Sequence, residues 1–162
     1  MDTRIDDRIE LLRHTLATLA YRGGKAVRGA PPEFGDFRAG PGSRSAGEIL
    51  AHVGDLFEWA LHLAEGEQVW ADSSPLPWER QAARFHRLLS EFDARLASGR
   101  PLGFPPERLF QGPIADALTH VGQLTMLRRL AGSPIRGENY FQAEIVAGRV
   151  GVEQAAARRE FD

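Results

Sequence analysis

Three side chains of this sequence could together bind a divalent metal ion: His52, Asp116 and His120. Imidazole nitrogens and carboxylate oxygens are common metal ligands in proteins. Asp116 and His120 lie four residues apart in PIADALTHVGQL, so on a helix both side chains project from one face, with Cβ atoms about 5–6 Å apart. This spacing suits two ligands of one ion. If a second helix places His52 against that face, the sequence predicts a metal site inside a helical bundle.

The predicted helix that carries Asp116 and His120 has one face that begins polar and ends apolar. At about 100° per residue, that face continues through Gln123, Leu127 and Leu130. The opposite side is predicted to carry Thr125, Arg128 and Arg129. We therefore expect the first face to point inward, with Gln123 supporting the ligands. Polar groups placed there need partners, because burying one unsatisfied costs about 1–3 kcal/mol.

His52 lies at the edge of the apolar face of another predicted helix, SAGEILAHVGDLFEWALHLAEG. The apolar positions of that helix are Ile49, Val53, Leu56, Phe57, Ala60 and Ala64. The second histidine of the helix, His62, falls on its polar side at 100° per residue. His52 is therefore the histidine that we expect to ligate a metal.

The same residues also have a purely structural interpretation. A histidine at the edge of a core is often a hydrogen-bonded group rather than a ligand, and His52 could pair with Asp116 in that way. An Asp/His pair four residues apart can also be a helix-stabilising contact of about 0.2–0.5 kcal/mol. Spacing alone leaves both interpretations open.

Composition limits the classes of function. The chain has 162 residues, which suits a single domain over residues 1–162, and it contains no cysteine, which excludes disulfides, thiolate ligands and an internal thiol nucleophile. The chain has a formal net charge of −2, so it lacks the excess of cationic side chains that contacts to nucleic-acid phosphates require. We therefore expect no nucleic-acid partner. There is neither an apolar signal-peptide region nor a run of about 18 apolar residues, so we expect a cytoplasmic protein without a membrane partner.

Helical periodicity and capping residues predict four long helices. The first is capped by Asp2 or Thr3 and ends near Gly23-Gly24, and residues 26–44 form a long crossover connection. The second begins at a capping box of Ser45 and Glu48 and runs to about Gly66. The third opens at Pro77 and ends near Gly99, and the fourth begins at Pro113 and stops near Gly132. The predicted fold class is all-α, a four-helix bundle.

The C-terminal tail, IRGENYFQAEIVAGRVGVEQAAARREFD, begins without helical periodicity, although residues 152–159 could form a short helix. Its polar and aromatic groups include Glu138, Tyr140 and Glu144. One interpretation is a surface strap that covers apolar area, and the other is a lid whose side chains touch a substrate.

At these residues the sequence resembles a known family. GPGSRSAGEILAHVGDLFEWA and ADALTHVGQLTMLRRLAGSPIRGENYF are similar to the two signature helices of DinB-like proteins. The resemblance covers most of the chain from about Ser43 and implies a four-helix bundle of the DinB/YfiT type.

Such proteins typically bind a divalent metal through three histidines, one on the second helix and two in an H-x-x-x-H motif on the fourth. His52 and His120 match two of these ligands, whereas Asp116 stands where the family has its third. A carboxylate can replace an imidazole on zinc, and two histidines with a carboxylate also suit Fe(II), Ni(II) or Mn(II).

The resemblance also implies a chemistry. Characterised relatives include thiol S-transferases and the mycothiol-dependent maleylpyruvate isomerase, in which the thiol is a small cosubstrate. We therefore expect a homodimer with a metal-dependent activity, either transfer of a low-molecular-weight thiol to an electrophilic small molecule or hydrolysis of such a molecule by water. The alternative is a non-catalytic dimeric bundle, or a small-molecule-binding protein, that has lost metal-dependent activity. A di-iron carboxylate bundle would need Glu-x-x-His motifs, and the sequence contains none.

Overall fold

The protein is a bundle of four long helices, seen in a computed structural model that describes residues 6–162. The long helices are α1 (Asp7–Val27), α2 (Ala46–Ala64), α3 (Trp78–Ala97) and α5 (Ala115–Leu130), and a single turn, α4 (Pro106–Leu109), precedes α5. Helices α1 and α2 each pack on both α3 and α5, so α1 and α2 occupy opposite corners. The all-α prediction is confirmed. In the described part no helix combines the length and apolar character needed to span a bilayer.

The core consists of apolar side chains that the four long helices turn toward the bundle axis, together with Phe34 from the connection between α1 and α2 and Leu109 and Ile114 from the segment before α5. Its largest fully buried members are aromatic and branched aliphatic residues: Phe34, Phe57, Phe85, Phe92, Leu16, Leu19, Leu50, Leu88, Leu89, Leu109, Ile114 and Leu124. Burying a side chain of this size stabilises the fold by about 1.5–3 kcal/mol. This core fixes α2 beside α5, which is the pairing that a shared metal site requires.

A capping box starts α2, as the sequence predicts. The Ser45 hydroxyl accepts from the Glu48 amide at 3.1 Å, and the Glu48 carboxylate accepts from the Ser45 amide at 2.6 Å. Arg38 pairs with the same carboxylate at 2.8 Å and, with that amide, lowers the pKa of Glu48 to about 2. These bonds satisfy two amides that a helix N-terminus otherwise leaves free.

Helix α1 does not end at Gly23-Gly24, so that boundary was predicted wrongly. The helix continues to Val27, with Asp6 as its N-cap, and the caps predicted at Asp2 or Thr3 lie outside the described residues. A Cβ atom at Gly23 would lie 2.6 Å from Cζ of Phe85. Glycine is therefore present at position 23 for the close approach of α3, and it does not act as a left-handed helix end.

Adding one methyl group at Gly23 should show this close packing. We expect Gly23→Ala to lower the free energy of unfolding by about 1–3 kcal/mol, because Phe85 must move. Gly122→Ala is the matched control, since a Cβ there meets no atom within 4 Å, and it should stabilise α5 by up to about 1 kcal/mol. Urea unfolding of both variants measures the difference, and equal effects would contradict this interpretation.

The helical segment that leads into α5 begins earlier than predicted. It starts at Pro106, and Pro113 lies inside a π-helical turn, Phe110–Ile114, that connects α4 to α5. Proline has no amide hydrogen and its ring clashes with an ordinary preceding helical turn. The wider π turn is a local distortion of the α-helix that allows Pro113 to stay within the helical path. Asp116 follows directly in the first turn of α5.

The tail is irregular apart from two short strands, β1 (Gly137–Glu138) and β2 (Glu160–Phe161), which pair antiparallel. A short 3₁₀ turn, Tyr140–Gln142, follows β1. The helix predicted over residues 152–159 is wrong, because that segment is not helical. A helix of eight residues is marginal in water, and here the chain instead runs toward the pairing of β2 with β1.

Candidate metal centre

Helices α2 and α5 bring His52, Asp116 and His120 together. The Nε2 atom of His52 lies 3.4 Å from Oδ2 of Asp116, and Nδ1 of His120 lies 3.1 Å from Oδ1 of the same carboxylate. The two imidazole rings have centroids 4.6 Å apart. Each residue offers one ligand atom such that all three atoms lie within 4.8 Å of one another. This group could hold a metal ion.

The separation of His52 from Asp116 is long for a hydrogen bond and also suits two ligands of one ion. A typical N–H···O bond is about 2.9–3.0 Å long, whereas this separation is 3.4 Å. With ligand bonds of about 2.0–2.2 Å, two ligands of a tetrahedral zinc lie about 3.3–3.5 Å apart. The distance between the two side chains therefore meets the geometric requirement of a shared ion.

His120 is held in an orientation that is typical of metal-bound histidines. Its Nδ1 atom lies 2.8 Å from the backbone carbonyl of Asp116. In the tautomer with the proton on Nδ1, the ring donates to that carbonyl and leaves Nε2 free as a ligand. Metal-ligating histidines almost always donate their second nitrogen to a carbonyl or carboxylate in this way.

Burial and charge favour the ligating form of His52. The His52 and His120 side chains are only 17% and 12% exposed, whereas that of Asp116 is 44% exposed. Burial, and next the positive charge that His120 can carry, lower the pKa of His52 below its usual range. The lowered pKa favours the neutral form of His52, which is the form that a metal ligand must have. The exposed carboxylate leaves the group open to solvent on one side.

Two tryptophans form a wall beside the group. The Trp70 ring lies edge-on to His52 with centroids 5.6 Å apart, and Trp59 packs against Trp70 at 5.8 Å. Trp70 belongs to the connection between α2 and α3, and its indole N–H donates to Asp72 at 3.1 Å. Helical periodicity does not predict the position of Trp70, because a long connection carries no periodic pattern.

A buried ion pair fixes that connection. Asp55 accepts from the Ser73 amide at 3.0 Å and from its hydroxyl at 2.6 Å, and Arg84 of α3 donates to Asp55 at 2.8 Å. Arg84 also donates to the carbonyl of Ala51 at 3.0 Å. Asp55 is buried, and a buried carboxylate needs a partner. At 100° per residue Asp55 lies on the same side of α2 as His62, opposite the apolar face, so helical periodicity does not indicate the pair.

Gly54 makes this arrangement possible. A Cβ atom at position 54 would overlap the guanidinium of Arg84. The missing side chain leaves a gap in the surface of α2 through which Arg84 reaches Asp55 and Ser73. The connection that carries Trp70 is thereby attached to both α2 and α3.

Removing the Arg84 guanidinium should weaken this attachment. We expect Arg84→Met to lower the free energy of unfolding by about 2 kcal/mol, because the buried Asp55 loses its charged partner but keeps the Ser73 bonds. The matched control is Arg87→Met on the same helix, whose exposed pair with Glu91 contributes about 0.3–0.5 kcal/mol. Urea unfolding followed by tryptophan emission measures both losses. Equal losses would show that the buried pair does not fix the connection.

A polar cavity of about 560 Å³ opens next to His52. Its lining includes Arg44, Glu48, Asp72, Ser73 and Ser74. The volume lies within the usual range of about 300–1,000 Å³ for small-molecule sites. The candidate metal group thus has space beside it for a small polar molecule.

The other predicted site residues lie elsewhere. Gln123 is exposed on α5, the Glu138 carboxylate contacts Tyr21 and Lys25 of α1, and Tyr140 packs on Tyr21. Glu144 pairs with Arg149 and Arg158 within the tail. Their predicted roles in ligand support or substrate binding stay predictions.

The predicted faces of α5 need three corrections. Gln123 and Leu130, expected to point inward, are exposed, and Arg128, expected to project outward, is buried. The arginine faces inward because its guanidinium donates to carbonyl groups at the end of α1, which a pattern of polar and apolar residues does not reveal.

No protein-family model, curated protein or solved structure matches the chain.

Proposed function

We propose that this chain is a divalent-metal-dependent enzyme of the DinB-like superfamily that transfers a low-molecular-weight thiol to an electrophilic small molecule. The observation that carries the proposal is the convergence of His52, Asp116 and His120, with ligand atoms within 4.8 Å of one another, at the side of a polar cavity. The resemblance of the two helices that supply these residues supports the same assignment.

In this proposal His52, Asp116 and His120 would hold a divalent ion of zinc, nickel, iron or manganese. Such an ion would supply Lewis acidity, which makes a thiol or water easier to deprotonate near neutral pH. The Asp116 carbonyl orients His120 through its Nδ1 proton, at 2.8 Å. Trp70 shields the His52 ring from solvent on one side. The thiol has to be a cosubstrate, because the chain has no cysteine.

A screen of thiols against electrophiles tests the proposal. Glutathione, cysteine and cysteamine are each incubated with a chloronitrobenzene or an unsaturated dicarboxylic acid and with metal-loaded protein. We expect loss of free thiol above the spontaneous rate for wild type, but not for His120→Ala. His14→Ala is the matched control, because His14 is an exposed histidine of α1. Equal rates for wild type and His120→Ala across the screen would contradict the proposed enzyme.

A non-catalytic dimeric bundle is the second candidate. Asp116 lies 3.4 Å from His52 and 3.1 Å from His120, so the three side chains also suit a structural cluster held by hydrogen bonds. Met126 and Leu130, four residues apart on α5, are more than half exposed and offer an apolar contact for a second copy. This candidate predicts a dimer in light scattering that Met126→Glu converts to a monomer, and a melting temperature that chelators leave unchanged.

A further inference from the structure

A second cavity lies on the side of α5 that faces away from the metal group. It is bounded by α1, α5 and the tail and has a volume of about 460 Å³. Its contacts on α5 include Leu118, Gly122 and Thr125. At 100° per residue these positions lie roughly opposite Asp116 and His120 on the helix. The cavity is therefore separate from the candidate metal centre.

The inner surface of this cavity is largely apolar. The buried Val121 and the part-buried Leu118 form its floor, and Ile135, Tyr140 and Phe161 contribute from the tail. Gly122 leaves a bare patch of helix, since a Cβ there would meet no atom within 4 Å. The cavity between α1 and α5 is therefore empty space that apolar side chains surround.

The tail side of the cavity is fixed by a buried carboxylate. The Glu138 side chain is fully buried, and it accepts from the Tyr21 hydroxyl at 2.5 Å and from Lys25 at 2.8 Å. Lys25 also donates to Glu160 at 2.9 Å. Both strands of the tail are thereby attached to α1. Burial, and next the bond to Glu138, raise the pKa of Tyr21, so its hydroxyl remains a donor.

Arginines surround the opening. Arg22, Arg129 and Arg136 all line the cavity. Arg136 is neutralised by Glu160 and Asp162, each at 3.3 Å. The Arg22 guanidinium stacks on Tyr140 at 4.3 Å from the ring centroid. Within residues 6–162, neither Arg22 nor Arg129 forms an ion pair. The Glu138 carboxylate already accepts hydrogen bonds from Tyr21 and Lys25. It therefore does not neutralise the positive charge of Arg22 or Arg129.

We infer that this second cavity binds a small organic carboxylate with an aromatic or aliphatic body. The apolar floor contacts the body, and the planar guanidinium groups of Arg22 and Arg129 donate hydrogen bonds to the carboxylate, for which their geometry is suited. The site is independent of the metal centre and of the proposed thiol transfer. It also gives the tail a role, because β1 and β2 build one side of the site.

Titration with 2-naphthoate tests this site, with 2-naphthalenemethanol as the neutral analogue of similar shape. Binding is measured by calorimetry and by ligand-observed NMR. We expect naphthoate to bind at least about tenfold more tightly than the alcohol. Arg129→Gln should weaken naphthoate binding at least about fivefold. Arg108→Gln, which removes an exposed arginine that lines no cavity described above, should leave binding unchanged.

Filling the cavity provides a second test that does not depend on charge. Gly122→Leu places a side chain in the open space, so we expect at least a roughly tenfold loss of naphthoate binding with the unfolding midpoint retained. Gly122→Ala adds a single methyl group and serves as the matched control. His120→Ala should bind naphthoate as wild type does. Equal affinity for the alcohol, or undiminished binding by Gly122→Leu, would overturn the proposal.

Discussion

Replacing His120 with alanine should weaken metal binding at least roughly a hundredfold. The variant removes one of three ligands and also the ring that the Asp116 carbonyl orients. Even loss of an outer-shell partner typically costs ten- to hundredfold in metal affinity, so loss of a ligand should cost more. His52→Ala should have a similar effect, because His52 supplies the ligand from the other helix.

Tryptophan fluorescence gives a direct measurement of this loss. Trp70 lies 5.6 Å from His52, and cobalt(II) quenches the emission of nearby indole rings. We expect wild type and His14→Ala to lose emission at equimolar cobalt, and His52→Ala and His120→Ala to keep it. Quenching of the two site variants at the same cobalt concentration as wild type would contradict the assigned ligands.

The second large effect concerns Arg128. Its side chain is buried, and within the described residues no carboxylate pairs with it. The guanidinium instead donates to the carbonyls of Ala26, Arg28 and Ser133 at 2.7–3.0 Å. It therefore binds the C-terminal end of α1, where the helix dipole favours a positive charge.

We expect Arg128→Met to lower the free energy of unfolding by about 3–5 kcal/mol. Methionine preserves the apolar stem, but it removes the donor from one buried and two part-buried carbonyl bonds, and a buried group left unsatisfied costs about 1–3 kcal/mol. Arg129→Met is the matched control, because the neighbouring arginine is exposed, and it should change stability by no more than about 0.5 kcal/mol. Urea unfolding of the metal-free protein measures both, and a small loss for Arg128→Met would show that water can replace the guanidinium.

The sequence predicted the parts of this molecule that depend on local chemistry. The capping box of Ser45 and Glu48 placed the start of α2 correctly, because both partners lie within one helical turn. The spacing of Asp116 and His120 placed two possible ligands on one face for the same reason. Helical periodicity predicted that His52 lies at the edge of the core, and the structure places it beside that pair.

The wrong sequence predictions have two causes. Some residue types suit two different local structures, and some positions are set by contacts between residues far apart in the chain. Gly23 resembles a helix end but permits close packing against Phe85, and Pro113 resembles a helix start but lies in a π turn. Periodicity assigned Arg128 to the surface, although distant carbonyls hold it inside. The attachment of Trp70 through Ser73, Asp55 and Arg84 joins residues far apart in the chain, so no local pattern predicts it.

Metal content is the most direct test of the central claim that His52, Asp116 and His120 form a metal centre. Untagged protein is purified without chelator and analysed by plasma mass spectrometry, beside His120→Ala. We predict close to one divalent ion per chain in wild type and a large loss in the variant. Absence of metal in wild type, even after incubation with zinc, nickel, manganese and iron(II), would contradict the claim and favour the non-catalytic bundle.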